Sequence, residues 1–310
     1  MGETMKRDWT AADIPSQKGR SVVVTGTGGI GYETALALAC AGADVILAGR
    51  NKEKGNEALR KVSTFKPAGT IRFEQLDLAD LKSVEAFGER IKAQRKSLDI
   101  LINNAAVMNP PQRRVTKDGF ELQMGTNYLG HFALTAHLLP LLQQAQKPRV
   151  ISLSSIANRS GVISFDDLQS ERQYKPMAAY AQSKLACLMF ALELQRRSIA
   201  AGWGISSMAA HPGISRTELI PNGSGKNSPA GIVRRLLGPV LFQPAAHGAW
   251  PSLYAAAAKE AAGGTYYGPS RMNETRGYPA EARIPPQAQD LQVASKLWVE
   301  SEKLTNVKLS

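Results

Sequence analysis

A short β-branched run, SVVVTG (21–26), leads through a glycine-rich stretch into ETALALACAGA (33–43), which is apolar and helix-forming. This succession of strand, glycine-rich turn and helix then recurs. The pattern predicts strands over 44–50, 70–77 and 98–105, with helices over 52–63 and 81–96 between them. It further predicts a helix over 118–144, a strand over 149–155, a helix from about Met177 and a strand over 204–213. A helix over 245–261 and a last strand in GGTYYG (263–268) precede a polar, proline-rich tail that ends in a helix near 291–303.

Such alternation signifies a parallel sheet covered on both faces. The expected fold class is therefore α/β, a Rossmann-type doubly wound sheet in a single domain over 1–310. To it are added an N-terminal arm (1–19), an excursion (219–244) and a C-terminal extension (268–310). The excursion carries Pro, Gly and Ser clusters around IVRRLLGPVLF and follows a strand end. Open α/β sheets bind ligands at the carboxyl ends of their strands, so it reads as a substrate lid, with a plain surface insertion as the bland alternative.

Composition narrows the function. With 310 residues, 43% of them hydrophobic, the chain can bury a large core. Its two cysteines, Cys40 and Cys187, lie in apolar helix-like runs and read as core residues in a reducing compartment. The N-terminal stretch is polar, without a signal peptide or membrane span, and Lys6 stands where a myristoylation motif wants Ser or Thr. The cytosol is the expected location. A net charge of +12 is scattered, and the basic stretch 92–96 closes a helical pattern, so it reads as solvated surface rather than a nucleic-acid site. Four histidines show no metal-ligand spacing, GSGKNS (223–228) lacks the P-loop pattern, and no G-x-S-x-G elbow occurs.

Gly26, Gly28 and Gly31 spell G-x-G-x-x-G between a predicted strand and a predicted helix. There the chain must turn tightly and admit a pyrophosphate, with Gly29 and Ile30 in the same turn and the helix N-terminus offering amide donors. The next strand ends at Gly49-Arg50-Asn51. A carboxylate at that point would hold the ribose hydroxyls of NAD, whereas glycine leaves room for a 2′-phosphate and Arg50 can bind it, so the expected cofactor is NADP(H).

TGTGGIG (25–31), NNAA (103–106), NYLGHF (127–132), SLSS (152–155), YAQSK (180–184) and HPG (211–213) with Thr217 follow one another as in the short-chain dehydrogenase/reductase family, which this chain resembles over most of its length. SFDDLQSERQYK, GTYYGP and ETRGYP look most like its bacterial retinol dehydrogenase-like and protochlorophyllide reductase-like members. Three departures stand out: the glycine loop is one residue short, Ala106 replaces the glycine of NNAG, and Ser215 follows the Pro-Gly turn where an aliphatic residue is usual.

Tyr180 and Lys184 are four apart in a helical pattern, so they project from one face a turn apart, and a neighbouring ammonium favours the phenolate of a tyrosine. Tyr180 then donates a proton to a carbonyl oxygen as hydride arrives, or takes it back from an alcohol. Ser155, at a strand end, can donate to the same oxygen; alternation sends Ser154 to the other face. The resemblance implies that Lys184 also bonds the nicotinamide ribose and that Asn127 holds a water relaying protons through Lys184. It places Asp77 and Leu78 at the adenine, Asn104, Ala105 and Ala106 along the adenosine and nicotinamide, and Pro212, Gly213, Ile214 and Thr217 near the carboxamide and phosphates. Residues 108–111 and the excursion are the expected substrate contacts.

The function these features imply is NADPH-dependent reduction of ketones or aldehydes to alcohols, with a non-catalytic NADP-binding sensor or scaffold as the alternative. The expected partners are a small carbonyl or alcohol substrate and no nucleic acid. Homo-oligomers are common in the family, although the C-terminal tail could cover the usual contact surface.

Overall fold

A computed structural model describes residues 8–214 and 243–309. The first half runs β1 (Ser21–Thr25), α1 (Gly29–Cys40), β2 (Asp44–Gly49), α2 (Lys52–Ser63), β3 (Thr70–Gln75), α3 (Leu81–Gln94), β4 (Ile100–Asn103) and α4 (Gly130–Gln143). The second runs β5 (Arg149–Leu153), α5 (Pro176–Ala201), β6 (Ser206–Ala210), α6 (Ala245–Ala257), β7 (Tyr266–Arg271), β8 (Arg276–Glu281) and α7 (Leu291–Thr305). The eight strands lie in the order β3-β2-β1-β4-β5-β6-β7-β8, all parallel except β8, which pairs antiparallel with β7. This is the doubly wound α/β sheet expected from the alternation. Among the described residues no helix is long and apolar enough to cross a membrane.

Strand period divides the core in two. Val23, Leu101, Val150 and Ala209 face α3, α4, α5 and α7, where Phe132, Phe190 and Trp298 pack within 5.2–5.8 Å of one another. Val22, Val24, Ile102, Ile151 and Met208 face the alanine-rich α1 and α6, and Trp9 of the N-terminal arm closes this side edge-on against Tyr254. Each large apolar side chain buried in this way contributes roughly 2 kcal/mol.

Three expectations change. The helix foreseen over 118–144 is broken: a bridge between Val115 and Glu121 comes first, then a π-helical stretch Met124–Leu129, and only then α4. The Glu121 carboxylate accepts from the Met124 amide at 2.7 Å, and Gly130 lies so close to Leu78 that a Cβ would overlap its carbonyl. Contacts of this kind, invisible to helical periodicity, fix the wider turn. Secondly, the tail contains β8, and the boundary at 268 falls inside β7. Thirdly, Cys187 is buried but Cys40, the last residue of α1, is exposed. The proposed lid falls largely on residues outside those described, as do Ser215, Thr217 and the GSGKNS loop.

Candidate active site

The glycine turn is built around three backbone demands. Gly26 (φ +97°) and Gly29 (φ +52°) take left-handed conformations that favour glycine, and a Cβ on Gly31 would overlap the Gly26 carbonyl. The shortened loop leads straight into α1, whose N-cap, Gly28, offers no side-chain acceptor. The amides of its first turn therefore remain for an outside anion.

Beside this turn lies a cleft of about 170 Å³ at the carboxyl ends of β1, β2, β3 and β4. It collects the expected residues Gly26, Arg50, Asn51, Asp77, Leu78, Ala105 and Ala106, and sequence reasoning missed Thr27, Lys54 and Thr126 in its wall. Lys54 was signalled by its place in the first turn after Gly-Arg-Asn. Asn51 caps α2 by accepting from the Lys54 amide at 2.8 Å, and Asp77 accepts from the Ala79 amide at 3.0 Å. The room expected at Gly49 is taken by Thr27, whose Cγ2 lies 2.7 Å from where a Cβ would stand. Arg50 is exposed. The donor set suits a dinucleotide: unclaimed helix-end amides for its pyrophosphate and two basic residues, Arg50 and Lys54, lining the adjoining cleft.

Asn104 braces the strand ends rather than the cleft. Its side chain donates to the Thr25 carbonyl at 2.6 Å, while the Asn104 and Ala105 amides both donate to Thr25 Oγ1 at 2.9 Å. Thr25 Oγ1 is also 2.9 Å from His131 Nε2, and His131 Nδ1 is 2.9 Å from the Asn127 carbonyl. One arrangement satisfies every group: Nδ1–H donates to Asn127, and the threonine hydroxyl donates to Nε2 while accepting two amides. Burial pushes His131 down to about 4, so the ring is neutral at pH 7. Neither Thr25 nor His131 was given a role from sequence, although each lies in a motif that carries the family resemblance, TGTGGIG and NYLGHF.

Tyr180 and Lys184 emerge a turn apart from α5, both buried, with Lys184 Nζ 5.9 Å from the Tyr180 ring centroid. Lys184 donates to the carbonyl of Leu153, the last residue of β5, at 2.9 Å. Ser154 is turned into the protein, donating to the Lys184 carbonyl at 2.7 Å, while Ser155 is half-buried and accepts from the Ala157 amide at 3.3 Å. The Asn127 side chain is buried. It accepts from the Val107 amide at 2.8 Å and donates to the Val107 carbonyl at 3.0 Å and to Ser183 Oγ at 2.9 Å. Pro212, Gly213 and Ile214 follow β6, with the Gly213 amide donating to His211 Nδ1 at 3.2 Å. Among the described residues no cluster of His, Cys, Asp or Glu could hold a metal.

A family profile described as short chain dehydrogenase matches residues 20–226. Retinol dehydrogenase 13 of Mus musculus is 40% identical over 322 aligned positions, covering 100% of this chain and 92% of that protein. Polyprenol dehydrogenase of Danio rerio is 37% identical over 313 positions, covering 99% and 93%. Among solved structures, an uncharacterized protein from Mycobacterium Paratuberculosis superposes with a TM-score of 0.81 at 40% identity, covering 98% of this chain and 99% of that one.

Proposed function

Because the chain belongs to the short-chain dehydrogenase family, a family of oxidoreductases that use nicotinamide cofactors, we propose that it is an NADP(H)-dependent reductase of apolar aldehydes or ketones. The observation that carries this reading is the pairing of Tyr180 with Lys184: two buried groups one helical turn apart, the ammonium tied to the end of β5 just before Ser155. A nicotinamide cofactor held at the glycine turn and beside Arg50 and Lys54 would supply the hydride. Tyr180 delivers its hydroxyl proton to the carbonyl oxygen and recovers it in the reverse direction. Lys184 places positive charge beside the phenol, and Ser155 Oγ donates to the substrate oxygen as charge gathers there. Asn127, committed to Val107 and Ser183, shapes the wall of the site.

The preference for NADP(H) rests on the end of β2, where Gly49 is followed by Arg50 and Asn51 with no carboxylate, and on Lys54 in the same cleft. An apolar substrate of isoprenoid type is supported by relatives named for retinol and polyprenol, and by exposed Val162, Met177 and Ile214 on segments flanking the site. Two free cysteines agree with a reducing compartment, and we place the protein in the cytosol.

Consumption of NADPH by purified protein with retinaldehyde and shorter prenyl aldehydes, with NADH in parallel, tests the reading. Turnover should be faster with NADPH. Tyr180→Phe should lower kcat about 1000-fold with the fold intact, and retained activity would refute the mechanism. Arg50→Ala should raise the KM for NADPH about tenfold and leave that for NADH unchanged. Tight NADPH binding without turnover on any carbonyl would favour the sensor or scaffold instead.

A further inference from the structure

The ETRGYP segment has no part in the chemistry above, yet its first residue has an unusual setting. Met272, Asn273 and Glu274 form the turn between β7 and β8 with φ of +51°, +54° and +65°. Three successive non-glycine residues in the left-handed region are strained, because such residues normally visit it singly. A four-residue hairpin loop has right-handed alternatives available. Strain of this kind persists only where surrounding contacts over-determine it, and it gathers at functional sites.

What the turn achieves is the aim of one carboxylate. Glu274 Oε2 lies 3.0 Å from His211 Nε2 and 2.6 Å from an Arg159 guanidinium nitrogen, and Oε1 accepts from the Arg283 amide at 3.0 Å. His211 follows β6 and leads into Pro212-Gly213, whereas Arg159 belongs to the 3-10 turn Ile156–Ser160 that Ser155 caps. Because His211 Nδ1 accepts from the Gly213 amide, the ring proton sits on Nε2 and points at Glu274. The surroundings are cut to fit. A Cβ on Gly268 would overlap the His211 ring, and one on Gly213 would overlap the Thr275 carbonyl, to which the Gly213 chain neighbour gives its amide: Ile214 N to Thr275 O is 2.9 Å. In the same turn as Arg159, Asn158 donates to Ser154 Oγ at 2.9 Å, and Ser154 in turn holds the Lys184 carbonyl.

We propose that Glu274 is a positioning residue, which sets the spacing between the Pro-Gly turn after β6 and the Ser155 turn after β5 by gripping His211 and Arg159 at once. These turns border the site from two sides, so the carboxylate fixes where the substrate oxygen meets Ser155 relative to the cofactor side of the crevice. The proposal rests on the redox reading given above. Burial works against the charged carboxylate, but the hydrogen bonds from His211 and the Arg283 amide, with the Arg159 charge, outweigh it and hold Glu274 down to about 2, so it grips throughout the neutral range.

Glu274→Ala and Glu274→Gln should be compared with wild type by thermal melting, NADPH calorimetry, turnover and the imidazole nitrogen NMR signal of His211. Glu274→Ala should lower kcat about 100-fold with substrate KM little changed, weaken NADPH binding, and shift the His211 Nε2 signal, because the Gly213 amide still keeps the proton on Nε2 while its carboxylate acceptor is gone. Glu274→Gln keeps an acceptor for that proton and should restore the Nε2 signal and most of the turnover. Wild-type kcat and an unchanged His211 signal in Glu274→Ala would overturn the proposal, as would losses in both variants that merely follow their melting temperatures. If Glu274→Ala does not fold, Arg159→Met, which keeps the His211 bond, should show the kcat loss with the Nε2 signal intact, and wild-type kcat there would overturn the proposal equally. Absence of wild-type turnover would sink the redox reading alone, leaving the His211 signal and NADPH affinity to decide this one.

Discussion

Two buried histidines stand near the crevice and are held by opposite means. His131, beside the end of β1, is fixed by uncharged partners, the Thr25 hydroxyl and the Asn127 carbonyl. His211, just past β6, is fixed by a carboxylate that also grips a guanidinium. The first node is dry and ties together backbone that approaches very closely at the glycine turn. The second bridges separate turns at the surface, where Arg159 and Glu274 keep 26% and 20% side-chain exposure. Neutral hydrogen bonds in a dry interior are insensitive to salt and costly to break one-sidedly, whereas partly exposed charges reach across gaps but are screened.

The comparison can be broken most severely at Thr25. Thr25→Val strips one hydroxyl from His131 and from two amides, and should cost about 4 kcal/mol in urea unfolding, with Thr25→Ser nearly neutral. Equal stability of the two variants would mean that the hydroxyl is not the node. His131→Leu should cost about 2 kcal/mol and change the acid response as well. Because the folded value of His131 lies near 4, below its ordinary 6.5, its contribution is fully present above 6.5 and is lost as pH falls from there toward 4. That contribution amounts to roughly 3 kcal/mol, and its pH dependence should vanish in His131→Leu.

Glu274 is likewise depressed, from 4.5 to about 2, so its contribution is present above 4.5 and disappears only as pH falls toward 2. Unfolding midpoints measured against pH should therefore show the neutral node failing before the charged one; the reverse order would undo the distinction. The smallest effect is expected from Arg159→Met, about 0.5 kcal/mol in stability and shrinking further in molar salt, where the cost of Thr25→Val stays constant.

What the sequence made legible follows the same division. The central parallel strands β1, β2 and β4 are runs of Val, Ile and Leu buried on both faces, and such runs declare themselves. The antiparallel edge strand β8 did not, because RGYPAE carries glycine and proline and little apolar residue. Its proline is tolerated opposite another, Pro279 against Pro269, at the sheet edge where a missing donor costs least. Tyr180, Lys184 and Ser155 were legible because spacing on one helix and position at one strand end are local properties. The roles of Thr25, His131 and Glu274 depend on partners 106, 106 and 63 residues away, a distance no periodicity reports.

The same arithmetic of separation reaches its extreme in α7. The buried Tyr128 hydroxyl, next to Asn127 in the π-helical stretch, meets Ser301 Oγ at 2.7 Å across 173 residues of chain. A nascent polypeptide leaving the ribosome can form its glycine turn early, but it cannot satisfy Tyr128 or close the Phe132–Trp298 contact until the segment through Ser301 has emerged. Translation products that stop short of that helix would hold an orphaned phenol in an unfinished core, so packing on this face of the sheet waits for α7.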